Sequence, residues 1–214
     1  MHKVDYSLMY VTDDSIADDT AFFKILEDAL KGGASIVQLR EKSGNTRSFY
    51  NRALKAKTLC DAHRIPLIIN DRIDIALAVD ADGVHIGQTD MPYSKARALL
   101  GATKIIGLSV SNKEQAIEAE NLKVDYIGIS PIFNTSTKKS DLAPSLGIEG
   151  LKMIRPLFSQ PIVCIGGIHR KNVADIIKNG ADGVAIISAI SKAEYPKKET
   201  KHLKEIICQT GLIK

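Results

Sequence analysis

The sequence predicts a (β/α)8 TIM barrel. Short apolar, mostly β-branched runs recur eight times, segments of helical periodicity lie between them, and 214 residues is enough for a compact barrel of this kind. The runs fall at 8–11, 36–39, 67–69, 84–86, 105–108, 126–129, 162–165 and 184–187. They are continuous and do not alternate with polar residues, which is the pattern of parallel strands covered on both faces. One domain over residues 1–214 is expected, with an open doubly wound sheet as the lesser alternative.

The elements follow in order. After the first strand, Phe22, Ile25, Leu26, Ala29 and Leu30 share one helical face. Asp18 and Asp19 stand near the helix start, where the dipole favours acids, and Gly32-Gly33 can end it. Phe49, Ala53, Ala56 and Cys60 form the next stripe, and Val173, Ile176 and Ile177 a late one before Gly180. Ala81-Asp82-Gly83-Val84 is echoed by Ala181-Asp182-Gly183-Val184. The two copies introduce the fourth and eighth strands, as a half-barrel repeat would.

Composition narrows the function classes. Apolar residues make up 44% and charged residues 25%, the balance of a folded globular chain. Lys plus Arg number 29 against 25 Asp plus Glu, a net +4 with no basic run of the nucleic-acid-binding kind. The apolar stretch 184–190 is far below the roughly 18 residues of a membrane span. Residues 1–6 have no apolar core, so no signal peptide is expected. Cys60, Cys164 and Cys208 lack disulfide or zinc spacing, and a reduced cytoplasmic protein is the expectation.

In such a barrel the chemistry belongs at the carboxyl ends of the strands. The second strand runs into Gln38-Leu39-Arg40-Glu41-Lys42, the third into Asn70-Asp71-Arg72, and the fourth into His85 through Asp90. The fifth gives Ser109, the sixth Pro131 through Lys139, the seventh Gly166-Gly167 and the eighth Ser188. Cations, two separate carboxylates, a hydroxyl-rich loop and a glycine pair therefore converge on one face. That set suits phosphorylated ligands and a divalent metal, because Mg²⁺ is held by one or two carboxylates plus water and substrate phosphate.

Each piece also has an ordinary structural use. Gly166-Gly167 can make a tight turn, though after the seventh strand it matches the recurring barrel phosphate site. Asp71 can cap a helix over 72–79, and Asp90 can serve a turn before Met91-Pro92. Arg40, Glu41 and Lys42 can form a rim ion-pair cluster; in an extended segment Arg40 and Lys42 point one way and Glu41 the other. His2, His63, His169 and His202 are expected to face solvent, and His85 to be packed and hydrogen-bonded. No zinc, nucleotide-loop, dinucleotide or serine-hydrolase motif is present.

Taken together, Gln38 through Lys42, Asn70-Asp71-Arg72, Ala81 through Asp90, Gly107-Leu108-Ser109, Pro131 through Lys139 and the stretches around Gly166-Gly167 and 184–190 resemble the thiamine phosphate synthase family. The segments fall in that family's order over nearly the whole chain. The resemblance implies a transferase that joins a hydroxymethylpyrimidine diphosphate to a hydroxyethylthiazole phosphate, releasing diphosphate and thiamine monophosphate. It implies that Gln38, Leu39, Arg40, Glu41, Lys42, Asn70, Ser109 and Lys138 hold the pyrimidine diphosphate, with Arg40, Lys42, Ser109 and Lys138 assisting catalysis. Asp71 and Asp90 would bind Mg²⁺. Thr135, Ser136, Thr137, Gly167, Ile187 and Ser188 would hold the thiazole phosphate.

The sequence departs from the family pattern at Asn134, where proline is common, at Thr89, where an acid is common, and at Ser111, where histidine is common. A related thiazole tautomerase would use a histidine near position 111 and lack the diphosphate and metal residues. A non-catalytic thiamine-phosphate-binding paralogue would tolerate loss of Asp71 and Asp90. Small phosphorylated substrates, no nucleic acid, no membrane and a possible homo-oligomer complete the expectation.

Overall fold

A computed structural model describes residues 4–42, 44–134 and 144–211. The eight apolar runs form strands β1 (Leu8–Val11), β2 (Ile36–Leu39), β3 (Leu67–Asn70), β4 (Gly83–Ile86), β5 (Ile105–Val110), β6 (Tyr126–Ile129), β7 (Ile162–Ile165) and β8 (Gly183–Ile186). All pairs are parallel, and the sheet closes in chain order with β8 against β1. Closure sets aside the open sheet. Besides β8, three strands extend past the apolar runs because the ladder is a backbone property: β3 to Asn70, which pairs with His85, β5 to Val110, with Ser109 opposite Gly128, and β4 back to Gly83. Likewise β8 begins at Gly183, which pairs with Val163, and it ends one residue before Ile187.

The helices are α1 (Asp19–Gly32), α2 (Thr46–Ala62), α3 (Ile73–Ala78), α4 (Tyr93–Leu100), α5 (Lys113–Leu122), α6 (Gly147–Ile154), α7 (Val173–Lys178), α8 (Ser188–Ser191) and α9 (Pro196–Gln209). Helix α1 shows how the sequence sets its own limits. The Asp18 side chain accepts the Ala21 N–H and satisfies an orphan donor of the first turn, while Gly33 at φ +104° takes the left-handed conformation that stops it. Its buried residues include Phe22, Leu26, Ala29 and Leu30, and Ile25 lies at the margin. Helix α2 is capped by Asn45 and buries Phe49, Ala53, Ala56 and Cys60. Fully burying one Leu or Ile side chain is worth about 1.5–3 kcal/mol, so each stripe holds its helix firmly to the barrel. Burial pushes the Cys60 thiol up to about 12, which leaves it a packing group. No helix among the described residues is long and apolar enough to cross a membrane.

Alternation along the strands creates two cores. Outward residues such as Leu8, Val37, Leu39, Ile69 and Val84 pack under the helices. Inward residues Met9, Val11, Ile36, Ile68, Tyr126, Val163, Ala185 and Ile187 fill the barrel. Toward the carboxyl ends the inward positions turn polar: Gln38, Asn70 and His85 are each under a tenth exposed. A buried polar layer of this kind must be hydrogen-bonded to be tolerated, and it lies directly beneath the barrel mouth.

The opposite end is closed by a repeated device. The Asp82 carboxylate accepts the Leu67 N–H at 2.9 Å, and the Asp82 N–H donates to the Leu67 carbonyl. Asp182 makes the same pair of bonds with Ile162 and Asp125 with Ile106, and Ser35 does so with Leu8 through its hydroxyl. The duplicated Ala-Asp-Gly-Val sequence is thus the most visible copy of a two-strand unit that recurs four times. Arg97 and Arg155 each brace one of these aspartates while donating to nearby loop carbonyls.

Candidate active site

The site begins where β1, β2 and β3 end. Arg40 continues the inward face of β2, and its guanidinium pairs with Asp14 at 2.8 Å. The Arg40 N–H donates to the Thr12 hydroxyl oxygen at 2.9 Å, which ties the β1 and β2 ends together. Lys42 pairs with Asp71 across the gap to β3. Glu41 points the other way and pairs with Arg52 of α2 at 2.8 Å. Alternation therefore aims Arg40 and Lys42 as expected, and the rim ion pairs exist alongside it.

Asp71 does not cap α3. That helix begins at Ile73 behind Arg72 and has no side-chain cap. Asp71 instead adopts φ +62°, rare for a residue with a side chain, held by its N–H donating to the His85 carbonyl at 2.8 Å. This conformation ends the strand and presents the carboxylate to Lys42 and Asp90. Asp90 is folded back by the turn after β4, where its carboxylate accepts the Gly87 N–H at 2.6 Å. Burial and the neighbouring Asp71 carboxylate raise its pKa, outweighing the Gly87 N–H and Lys42, which act the other way.

Two facing carboxylates with Lys42 beside them form an acidic pair that a divalent cation would relieve. Their hard oxygen donors fit Mg²⁺, which needs only one or two protein carboxylates. Among the described residues no cluster of three or more His, Cys, Asp or Glu that could hold a metal exists, so a metal at this pair would complete its shell with water and substrate oxygens.

The other half of the mouth is a cavity of about 480 Å³ lined by Ser130, Asn134, Gly166, Gly167, Ile187, Ser188 and Lys192, among others. Gly166 and Gly167 have φ +111° and +64°. A Cβ on Gly167 would stand 2.7 Å from the Asn134 carbonyl oxygen, so glycine is required for the chain to pass so closely. Deeper in the barrel a small cavity is lined by Gln38, Arg40, Asn70, His85, Ser109 and Tyr126. The two cavities share Ser130, Ile165, Ala185 and Ile187 as a common wall.

The structure thus brings Gln38, Arg40, Lys42, Asn70, Asp71, Asp90, Ser109, Gly167, Ile187 and Ser188 to one end of the barrel. It does not bring two expected side chains there. Leu39 faces outward, fully buried beneath the helices, and Glu41 is engaged by Arg52. Strand alternation forces both away from the mouth. Thr135, Ser136, Thr137 and Lys138 lie outside the described residues. His63 and His202, expected at the surface, are half-buried where their helices pack, and the buried His202 Nδ1 has no partner among the described residues. His85 is buried and hydrogen-bonded, as expected.

Sequence reasoning passed over Asp13, Asp14, Tyr126 and Lys192. Asp13 is buried and accepts bonds from the Ser15 and Ser191 hydroxyls at 2.6 and 2.7 Å. It thereby joins the β1 end to α8. Thr12-Asp13-Asp14 directly follows the first strand, so the strand-end rule could have found them.

Comparison with known proteins adds an independent line. Residues 8–190 match the family described as "Thiamine monophosphate synthase". A thiamine-phosphate synthase of Clostridium acetobutylicum is 47% identical over 207 residues, 97% of each chain. One of Syntrophomonas wolfei is 47% identical over 96% of this chain and 98% of its own. The solved structure of a thiamine phosphate pyrophosphorylase from Pyrococcus furiosus superposes with a TM-score of 0.87 at 35% identity, covering 97% and 98% of the two chains.

Proposed function

The chain belongs to the thiamine monophosphate synthase family, and we propose that it joins 4-amino-2-methyl-5-(diphosphooxymethyl)pyrimidine to 4-methyl-5-(2-phosphooxyethyl)thiazole. The thiazole nitrogen forms the new bond to the pyrimidine methylene carbon, the carbon–oxygen bond to diphosphate breaks, and thiamine monophosphate and diphosphate leave. The observation that carries this reading is the mouth itself: a cationic and acidic cluster of Arg40, Lys42, Asp71 and Asp90 at the same barrel end as a glycine-lined cavity ending at Ser188, with Arg40 also lining the deeper cavity that shares a wall with it. Two anionic substrates fit such a pair of sites better than one.

The chemistry assigns a task to each residue. Diphosphate departs first, leaving a methylene cation stabilised by the ring amino group, so negative charge grows on the departing oxygens. Arg40, Lys42, Ser109 and Lys138 favour that charge more than the ground state, which is how they accelerate the step. Asp71 and Asp90 would hold Mg²⁺, which supplies further positive charge to the diphosphate when bound. The thiazole nitrogen already carries its lone pair and needs no base. Gly167, Ile187 and Ser188, with Thr135, Ser136 and Thr137, hold the thiazole phosphate and place that nitrogen in line; the gain is chiefly entropic.

The tautomerase reading finds no support at position 111. The Ser111 N–H and hydroxyl both donate to the Gln115 side-chain oxygen, at 2.8 and 3.0 Å, so this residue closes a loop. The test mixes purified protein with both substrates and Mg²⁺ and measures thiamine monophosphate by oxidation to thiochrome. Product that disappears with EDTA supports the reading; none from folded protein overturns it.

A further inference from the structure

Beneath the mouth a chain of hydrogen bonds runs from Tyr126 through His85 to Ser109, and its first two residues belong to neither proposed substrate site. The Tyr126 phenol stands 2.9 Å from His85 Nδ1, and His85 Nε2 stands 2.9 Å from the Ser109 hydroxyl oxygen. The Gln38 side chain lines the same small cavity. Room for this chain is cut into the neighbouring strands. A Cβ on Gly107 would stand 2.1 Å from the Tyr126 ring, and one on Gly128 would stand 2.9 Å from the His85 ring. The Tyr126 and His85 rings thus occupy space that only glycine at positions 107 and 128 leaves open.

The direction of each bond follows from acid–base chemistry. Phenol is a stronger acid than a neutral imidazole N–H, and the imidazole nitrogen a stronger base than a phenol oxygen. The favoured arrangement is therefore Tyr126 O–H donating to Nδ1. Burial keeps the phenol protonated. A neutral imidazole carries one N–H, so it must lie on Nε2 and donate to Ser109.

We infer that His85 and Tyr126 are positioning residues: they fix the Nε2–H tautomer, whose bond occupies a Ser109 lone pair and turns the Ser109 O–H into the mouth as a donor. A freely rotating serine would spend much of its time with its lone pairs facing an incoming anion. The chain of bonds removes that orientation before substrate arrives, so Ser109 meets developing negative charge already aligned. The value of this arrangement for catalysis rests on the reading of Ser109 as a diphosphate ligand; the tautomer does not.

Two measurements test it. In ¹⁵N-histidine-labelled resting protein, with the His85 signal identified by its loss in His85→Gln, Nδ1 is expected unprotonated and Nε2 protonated. The opposite tautomer overturns the inference. In a double-mutant cycle, Tyr126→Phe is expected to lower kcat/KM for the pyrimidine diphosphate about tenfold and Ser109→Ala about 10²-fold, with KM for the thiazole phosphate unmoved. Combined, the two losses should not multiply, because Tyr126 acts through Ser109. Multiplying losses would mean a general packing role and would overturn it. If wild-type protein makes no thiamine phosphate, the functional reading fails by itself, and the tautomer still decides the orientation.

Discussion

Asp71 shows how one backbone angle changes the meaning of a residue. By type and position it is a good helix cap, yet at φ +62° it meets Asp90 and Lys42. Asp71→Asn keeps the shape and removes the charge. It is expected to abolish Mg²⁺-dependent turnover, by about 10²-fold or more, with an unchanged circular dichroism spectrum. Full activity would remove the metal assignment. Asp13 carries a different expectation. Burial alone would raise its pKa, but hydrogen bonds from Ser15 and Ser191 outweigh burial and hold it below the usual carboxylate value. A depressed native pKa stabilises above the unfolded-state value, and that stability is lost as pH falls through the native one. The stability gap between wild type and Asp13→Asn, measured by urea unfolding, should therefore be full at neutral pH and shrink below about pH 4.

At the scale of elements, the four base closures do the work of holding strand starts in register. Asp182→Ala leaves the Ile162 N–H without its carboxylate acceptor and Arg155 without its ion pair. The expected loss is roughly 1–3 kcal/mol of unfolding free energy, while activity at room temperature persists because the site lies at the other end of the barrel. An equal loss of activity at constant fold would show that the two ends communicate. These closures were legible as a repeated word, Ala-Asp-Gly-Val, but only as a pair. The copies at Asp125 and Ser35 share the geometry without the letters, and no inspection of letters would group a serine with three aspartates.

For the whole molecule, continuous apolar runs gave every strand, because burial on both faces leaves the same mark wherever it occurs. The strand-end rule then located most residues of the candidate site. What it could not supply was reach and direction. Tyr126 opens β6 far from its carboxyl end, yet its long side chain extends to His85 in the polar layer. Glu41 sits among mouth residues in sequence, yet pleating sends it to Arg52. With ligands, the mouth should act as a unit. Diphosphate with Mg²⁺, present at about a hundred times its dissociation constant, should stabilise the fold by ~2.7 kcal/mol. A rise in melting temperature that EDTA reverses would show it.

The wall common to the two cavities, formed by Ser130, Ile165, Ala185 and Ile187, has a pharmacological consequence. One molecule reaching from the glycine-lined cavity into the deeper one would need no long tether, since only this wall separates them. Having lost its freedom of tumbling once, it would meet the second site at high effective concentration. Its affinity should exceed that of either half by about 10²–10⁴-fold, provided the spacer spans the wall without bending. A series of spacer lengths, assayed by competition, would measure that wall from within as a sharp optimum in inhibition.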